Sequence, residues 1–282
     1  MLPPWPALDE IEICIMCVSS LEADAVCSLF DETYDRPGSS TGKPTPSQNI
    51  NPKYNDYIMG RIADHNVVLA RMPGKGVVYS AGESRRLKER FKGIKLVLLV
   101  GICGAIPERP DGQEIMLGDV VVSKAVVRYD LAKQYPLGIQ WTDVSYTMPN
   151  ARIRDFTAKL ELRGEQLKER TCGFLRKTAA VGRLPGLSKD KLFRLALHFG
   201  NFASQEIPMN FAKHRNEIAH EKNVIAFETM AVGAWDNLPC MIVKGVSDYA
   251  DGCVSEEWEQ YAAATAAACA KAILEEWIAG ST

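Results

Sequence analysis

The sequence predicts one large α/β domain, and three observations carry that prediction. Short, β-branched apolar runs recur at 11–18, 95–100 and 240–243, a pattern that suits strands buried on both faces. Segments with helix start signals or an Ala-rich composition lie between and after them. At 282 residues, 46% hydrophobic and 24% charged, the chain can bury a full core.

Charge narrows the partners. A formal net charge of −2 and a sequence pI near 6.1 leave no electrostatic footprint for nucleic acid or an anionic membrane. Residues 1–6 have neither a basic nor an apolar signal region, and the best apolar run, 96–106, is too short to span a bilayer. The expectation is a soluble cytoplasmic protein with no membrane or nucleic-acid partner. Several of the eight cysteines (Cys14, Cys17, Cys103, Cys240) sit inside apolar runs, which suits reduced, buried thiols. Cys14 and Cys17 have the spacing of half a metal site, but on a strand residues three apart point to opposite faces. No second Cys pair accompanies them, and His65, His198, His214 and His220 fit no ligand spacing. No metal and no cofactor is expected.

Taken in order, 11–18 reads as the first strand, and Ser19-Ser20-Leu21-Glu22 starts a helix, with serine caps and an acid in the first turn. Glu22 therefore lies at the C-terminal mouth of a strand, where helix-dipole complementarity also explains an acid. Residues 35–53, rich in Pro, Gly, Ser and Asn, read as a surface loop. Within it, 38–43 is not a phosphate loop: the spacing is one residue short and Pro44 stands where Ser or Thr is needed. Residues 56–72 read as a hairpin, 78–91 as a helix with a solvated basic face, and 95–100 as a buried strand running into Gly101-Ile102-Cys103-Gly104. Glycines there let a ligand approach the backbone, or make a plain tight turn. A strand at 117–123, one or two helices around 153–170, a helix at 189–198, a strand at 224–227 and a long Ala-rich helix at 258–278 complete the reading.

The stretch 239–251 organises the rest. Its apolar strand ends in Ser247, Asp248 and Asp251, at the edge where open α/β sheets bind ligands. Asp248 is a candidate proton donor there, because apolar surroundings favour the protonated form of an acid. A capping or turn role explains the same aspartates equally well.

The series at 62–70, Leu-Val-Gly-Ile-Cys-Gly at 99–104, Leu-Gly-Asp-Val-Val-Val-Ser at 117–123, Ala-Phe-Glu at 226–228 and Val-Lys-Gly-Val-Ser-Asp-Tyr-Ala-Asp at 243–251 resembles the nucleoside phosphorylase and nucleosidase superfamily. The likeness is strongest to the phosphorylase-like domains of filamentous fungi, often found beside ankyrin or nucleotide-binding signalling modules. The resemblance spans nearly the whole chain and implies one phosphorylase-like domain over 9–279, with 35–53 as an insertion. The implied fold is a three-layer α/β/α sandwich around a mixed, partly barrel-like sheet, in a homo-oligomer built on dimers or trimers. The implied chemistry is cleavage of the N-glycosidic bond of an adenine-type nucleoside, a small-molecule substrate. Asp248 would serve the departing base. Glu22 would activate water, and the absence of an arginine-bearing phosphate loop after the first strand favours water over phosphate. Gly101, Ile102, Cys103 and Gly104 would line the sugar and nucleophile site, with Ser247 beside the acid.

The sugar and base contacts depart from the family pattern. Where it has Glu-Met-Glu, this chain has Glu228-Thr229-Met230 after Phe227, so the carboxylate that holds ribose hydroxyls is missing. Loss of such a charge-assisted bond costs about 1.5–3 kcal/mol. Ser204-Gln205-Glu206 replaces Ser-Gly-Asp, and Pro208-Met209 stands where an aromatic often stacks on the base. These changes motivate two alternatives: a repurposed isomerase or cyclase of fungal secondary metabolism with an apolar, even pericyclic, substrate, or a non-catalytic purine-binding module.

Overall fold

The computed structural model describes residues 6–34, 57–129, 132–135, 138–141, 146–177 and 195–278. Strand β1 (Ile13–Cys17), buried throughout, leads through Ser19 into helix α1 (Ser20–Cys27). A short strand β2 (Glu32–Thr33) and the hairpin β3 (Tyr57–Ile62) and β4 (His65–Arg71) follow. The hairpin turns at Ala63, whose φ of 52° is the left-handed conformation such tight turns require. Helix α2 (Val77–Arg90) precedes β5 (Leu96–Ala105) and β6 (Val120–Arg128). Strands β7 (Ala132–Tyr135) and β8 (Gly138–Trp141) form a separate ribbon, and β9 (Tyr146–Thr147) pairs with β6. Helices α3 (Ala151–Leu162) and α4 (Gly164–Leu175) come next, then β10 (Leu197–Ser204) and α5 (Ala212–Lys222). The order closes with β11 (Val224–Glu228), α6 (Ala231–Trp235), β12 (Cys240–Asp248) and α7 (Glu256–Glu276).

The main sheet has the order β11-β10-β6-β12-β5-β1-β4-β3-β2. Parallel pairs β1–β4, β1–β5 and β12–β5 make its centre, while β6 runs antiparallel to β12. β11 turns back onto β5, with Ala226 opposite Ala105 and Phe227 opposite Gly104. That extra pairing closes part of the sheet into a barrel, so the sheet is mixed and partly barrel-like, as the resemblance implies. Two apolar layers cover it. One packs α1, α3, α4 and α7 on the sheet, and the other packs α2, α5 and α6. Cys14 falls in the second layer and Cys17 in the first, so β1 does direct the two thiols to opposite faces. Helix α7 is buried continuously from Tyr261 to Leu274, which explains a helix of small apolar residues with no broad polar face.

The structure corrects the local readings at several points. Leu197 and His198 begin β10 rather than ending a helix, and residues 189–194 lie outside the described residues. The reason is distant: buried His198 pairs with Asp119 on the neighbouring strand entry, Nε2 to Oδ2 at 2.9 Å. The glycines at 101 and 104 are not in a turn; β5 runs through them to Ala105, and β12 likewise runs on through Asp248. The predicted loop at 35–53 lies outside the described residues, apart from which the hairpin, α2 and α7 follow the sequence reading. No helix of the described residues is long and apolar enough to cross a membrane. None of the eight cysteines, all of them among the described residues, is disulfide-bonded.

Candidate active site

Strand β5 is the spine of the site. Because β1 and β12 flank it in parallel, the chain leaving β1 and the end of β12 arrive at the same sheet edge. Glu22 enters from the first turn of α1, where Ser19 caps the helix by accepting from the Glu22 N–H at 3.2 Å. In return Glu22 Oε2 accepts from the N–H groups of Val18 (2.8 Å) and Ser19 (2.9 Å). This capping box turns the carboxylate toward β5, and Oε1 accepts from the Ile102 N–H at 2.9 Å. Gly101 makes the approach possible: a Cβ there would stand 2.0 Å from Glu22 Oε1. Glu22 is only 3% exposed.

Asp248 enters from the other side, three residues further along β5. A Cβ on Gly104 would lie 2.9 Å from Asp248 Oδ1, so the two carboxylates reach β5 about 10 Å apart at strand rise. Asp248 Oδ1 accepts from the Ala250 N–H at 2.7 Å, and Ser247 Oγ lies 2.8 Å from Oδ2. Ser247 Oγ also lies 3.2 Å from the Cys103 carbonyl oxygen, so its single proton has two acceptors to choose between. Ala250 holds a left-handed φ of 51° to make this turn, a strained backbone of the kind that collects at functional sites. Unlike Glu22, Asp248 is half-buried.

Sequence reasoning missed Lys244. It is 2% exposed, on β12, with Nζ 4.0 Å from Glu22 Oε1 and 3.4 Å from Met230 Sδ. A lysine inside a strand read as buried on both faces was itself the signal, since a buried cation needs a partner. The four other residues expected to line the sugar end divide. Met230 is buried against Lys244, whereas Glu228 is spent on structure: its carboxylate accepts from the Met230 and Ala231 N–H groups and caps α6. Ser204 Oγ accepts from the Val232 N–H on the same helix at 3.2 Å. Thr229 is half-buried between them.

Phe227, Met209 and Cys103 share one buried apolar cluster with Met230. Phe227 stacks edge-on against Tyr129 with ring centroids 6.1 Å apart. Pro208 is exposed on the loop after β10. Burial pushes the Cys103 thiol well above its ordinary range, which makes it a lining group rather than a nucleophile. Beside that loop, Glu206 accepts from the Val77 N–H at 2.6 Å and ties it to the start of α2. Among the described residues no group of three His, Cys, Asp or Glu side chains is placed to hold a metal ion.

One buried carboxylate, one half-buried carboxylate, a buried lysine and buried apolar side chains thus meet at the C-terminal end of the β5 region. The chain belongs to the phosphorylase superfamily, whose pattern it matches over residues 12–279. It is 28% identical over 310 residues to a nucleotide-binding leucine-rich repeat (NLR)-like protein of the fungus Hyaloscypha variabilis, an alignment covering 96% of this chain and 30% of that protein. The chain thus spans less than a third of that relative's length. It is 21% identical to the 5′-methylthioadenosine/S-adenosylhomocysteine nucleosidase of Mycobacterium bovis, over 76% of this chain and 82% of that one. Among solved structures it shares the fold of the Helicobacter pylori methylthioadenosine/S-adenosylhomocysteine nucleosidase with 5′-methylthioadenosine bound (TM-score 0.64, 16% identity, 95% and 99% of the two chains). Helicobacter pylori futalosine hydrolase is similar in fold as well (TM-score 0.63, 17% identity, 95% and 99%).

Proposed function

We propose that the chain hydrolyses the N-glycosidic bond of a purine nucleoside of the adenine type. The observation that carries the reading is the delivery of Glu22 and Asp248 to opposite ends of the Gly101–Gly104 stretch of one strand. In this reading the bond between the sugar's anomeric carbon and the base nitrogen breaks, and its electron pair leaves with the base. Asp248 protonates or hydrogen-bonds the base as that charge develops. A water oxygen attacks the anomeric carbon and gives its proton to Glu22, whose Oε1 faces the site. Lys244 donates to oxygens on the same side and balances the charge of Glu22. The hydrolases among the similar proteins support water as the acceptor.

Eight cysteines without disulfides, mostly buried, fit a reducing, cytoplasmic setting, and a homo-oligomer remains part of the reading; light scattering tests the latter. The test of function is to incubate the protein with adenosine, methylthioadenosine, inosine and uridine, each with and without phosphate, and to follow free base by chromatography. Adenine release without phosphate is expected. Release only with phosphate would replace water by phosphate as acceptor. The buried apolar wall of Met209, Phe227 and Met230 favours one second reading, an apolar non-nucleoside substrate; it gains if no nucleoside turns over in a folded protein.

A further inference from the structure

Helix α5 brings one charged side chain up against the turn that carries Asp248. Arg215 is 6% exposed, yet among the described residues its guanidinium meets no carboxylate. Nε and Nη2 donate to Asn216 Oδ1 at 3.0 and 2.9 Å, and Nη1 donates to the Tyr249 carbonyl oxygen. A buried cation is normally paired with an anion, because neutral acceptors offset only part of its lost hydration. This one is aimed at a single carbonyl just past the end of β12.

That carbonyl belongs to the peptide unit that holds the acid. The Tyr249 C=O and the Ala250 N–H are two ends of one planar amide, and the Ala250 N–H donates to Asp248 Oδ1 at 2.7 Å. Arg215 and Asp248 are therefore joined through one amide, cation to carbonyl and N–H to carboxyl. A charge-assisted donor on the carbonyl oxygen draws electrons from the amide nitrogen and makes its N–H a stronger donor. It also fixes the unit next to Ala250, whose left-handed φ of 51° a residue other than glycine seldom adopts. The Asp248 carboxyl thus has one anchored oxygen, Oδ1, while Oδ2 faces the Ser247 hydroxyl, which can turn.

We propose that Arg215 is a positioning residue for the acid, acting on Asp248 through the Tyr249–Ala250 peptide; the step rests on the nucleoside-hydrolase reading. As the glycosidic bond breaks, the Asp248 proton passes to the departing base and the electron pair of its O–H bond stays on the carboxylate. The Ala250 N–H that Arg215 strengthens stabilises this negative charge as it forms. The effect therefore falls on kcat rather than on KM.

The experiment is a double-mutant cycle. Arg215→Met removes the charge and the donor but keeps an unbranched apolar stem, and Arg215→Lys keeps a cation that can reach the Tyr249 oxygen. In the parent background, kcat for base release is expected to fall about tenfold in Arg215→Met, the size of about one strong hydrogen bond, with KM within about twofold. Arg215→Lys is expected to lose no more than about threefold. In an Asp248→Asn background, where no carboxyl proton is transferred, Arg215→Met is expected to change kcat by less than about twofold. An unchanged kcat in the parent background, an equal loss in both backgrounds, or a loss in KM alone overturns the inference and leaves the hydrolase reading standing. If Arg215→Met does not fold, Asn216→Ala takes its place in the cycle. Asn216 is exposed, and its loss leaves Arg215 charged but frees Nε and Nη2, with a fall of about threefold expected in the parent background alone. If no nucleoside releases base from the folded parent, the hydrolase reading fails, and NMR at one fixed pH decides the coupling. Movement of both the Ala250 amide proton and the Asp248 carboxyl carbon in Arg215→Met, reversed in Arg215→Lys, upholds it; an unmoved Asp248 carbon overturns it.

Discussion

The two carboxylates at this strand edge are held in opposite ways. Glu22 is clamped by three backbone N–H groups on a capped helix turn and is almost fully buried. Asp248 is half-buried and has one backbone donor and one hydroxyl. A backbone N–H can only donate, so the Glu22 cradle holds the carboxylate form, the state a general base needs before it takes a proton. A hydroxyl can reverse, so the Asp248 cradle accommodates either protonation state: the Ser247 proton turns to the Cys103 carbonyl oxygen when Asp248 itself has a proton to give. In the proposed reaction the rigid end presents the anion that takes the water's proton and the adaptable end accommodates giving one, which is the division of labour an acid–base hydrolysis needs.

Amide substitution breaks the comparison most sharply. In Asp248→Asn the carbonyl keeps the Ala250 N–H, and the new NH2 donates to Ser247 Oγ, which turns to Cys103. The fold should persist with an unchanged melting transition while kcat for base release drops on the order of 10²–10⁴-fold, the usual worth of a general acid. Glu22→Gln behaves differently, because both carboxylate oxygens face N–H groups and the amide nitrogen must confront one of them. Activity falls here too, but so does stability, by about 1–3 kcal/mol for a buried donor left opposite a donor, readable by chemical denaturation. A Glu22→Gln protein as stable as the parent would mean that its cradle is looser than the geometry describes.

The rigid end was the legible one. Ser19 and Glu22 are three residues apart, so their capping box is local, and the spacing alone puts the acid at a strand mouth. What Glu22 meets there, Ile102 and Lys244, lies 80 and more residues away and follows only from the parallel β1–β5–β12 order. Strand β10 escaped for a similar reason: Leu197–Ser204 places His198, Gly200 and Asn201 among its apolar residues and lacks clean alternation. Its buried histidine is tolerated because Asp119 waits on β6's approach. Glu228 shows the reverse error of emphasis, since an acid before a short helix reads as a ligand contact in the family pattern while its oxygens cap α6. Local chemistry was readable; pairings across the sheet were not.

The finest test compares the two serines, one beside each carboxylate. Ser19→Ala removes an N-cap, and the Glu22 N–H at 3.2 Å loses its acceptor. Stability should drop by about 1 kcal/mol, while the Glu22 carboxylate keeps its own N–H donors and kcat stays within about twofold. Ser247→Ala removes no cap and leaves the Ala250 N–H on Asp248 Oδ1. Stability should barely move, yet Asp248 loses the hydroxyl that answers its change of protonation, so kcat should fall several-fold, by about the worth of one hydrogen bond, with KM little changed. Paired denaturation and kinetic measurements on these two variants separate a serine that holds the chain from one that serves the proton. If both variants lose stability alone, Ser247 is a structural partner like Ser19, and the adaptable character assigned to the Asp248 end has to be withdrawn.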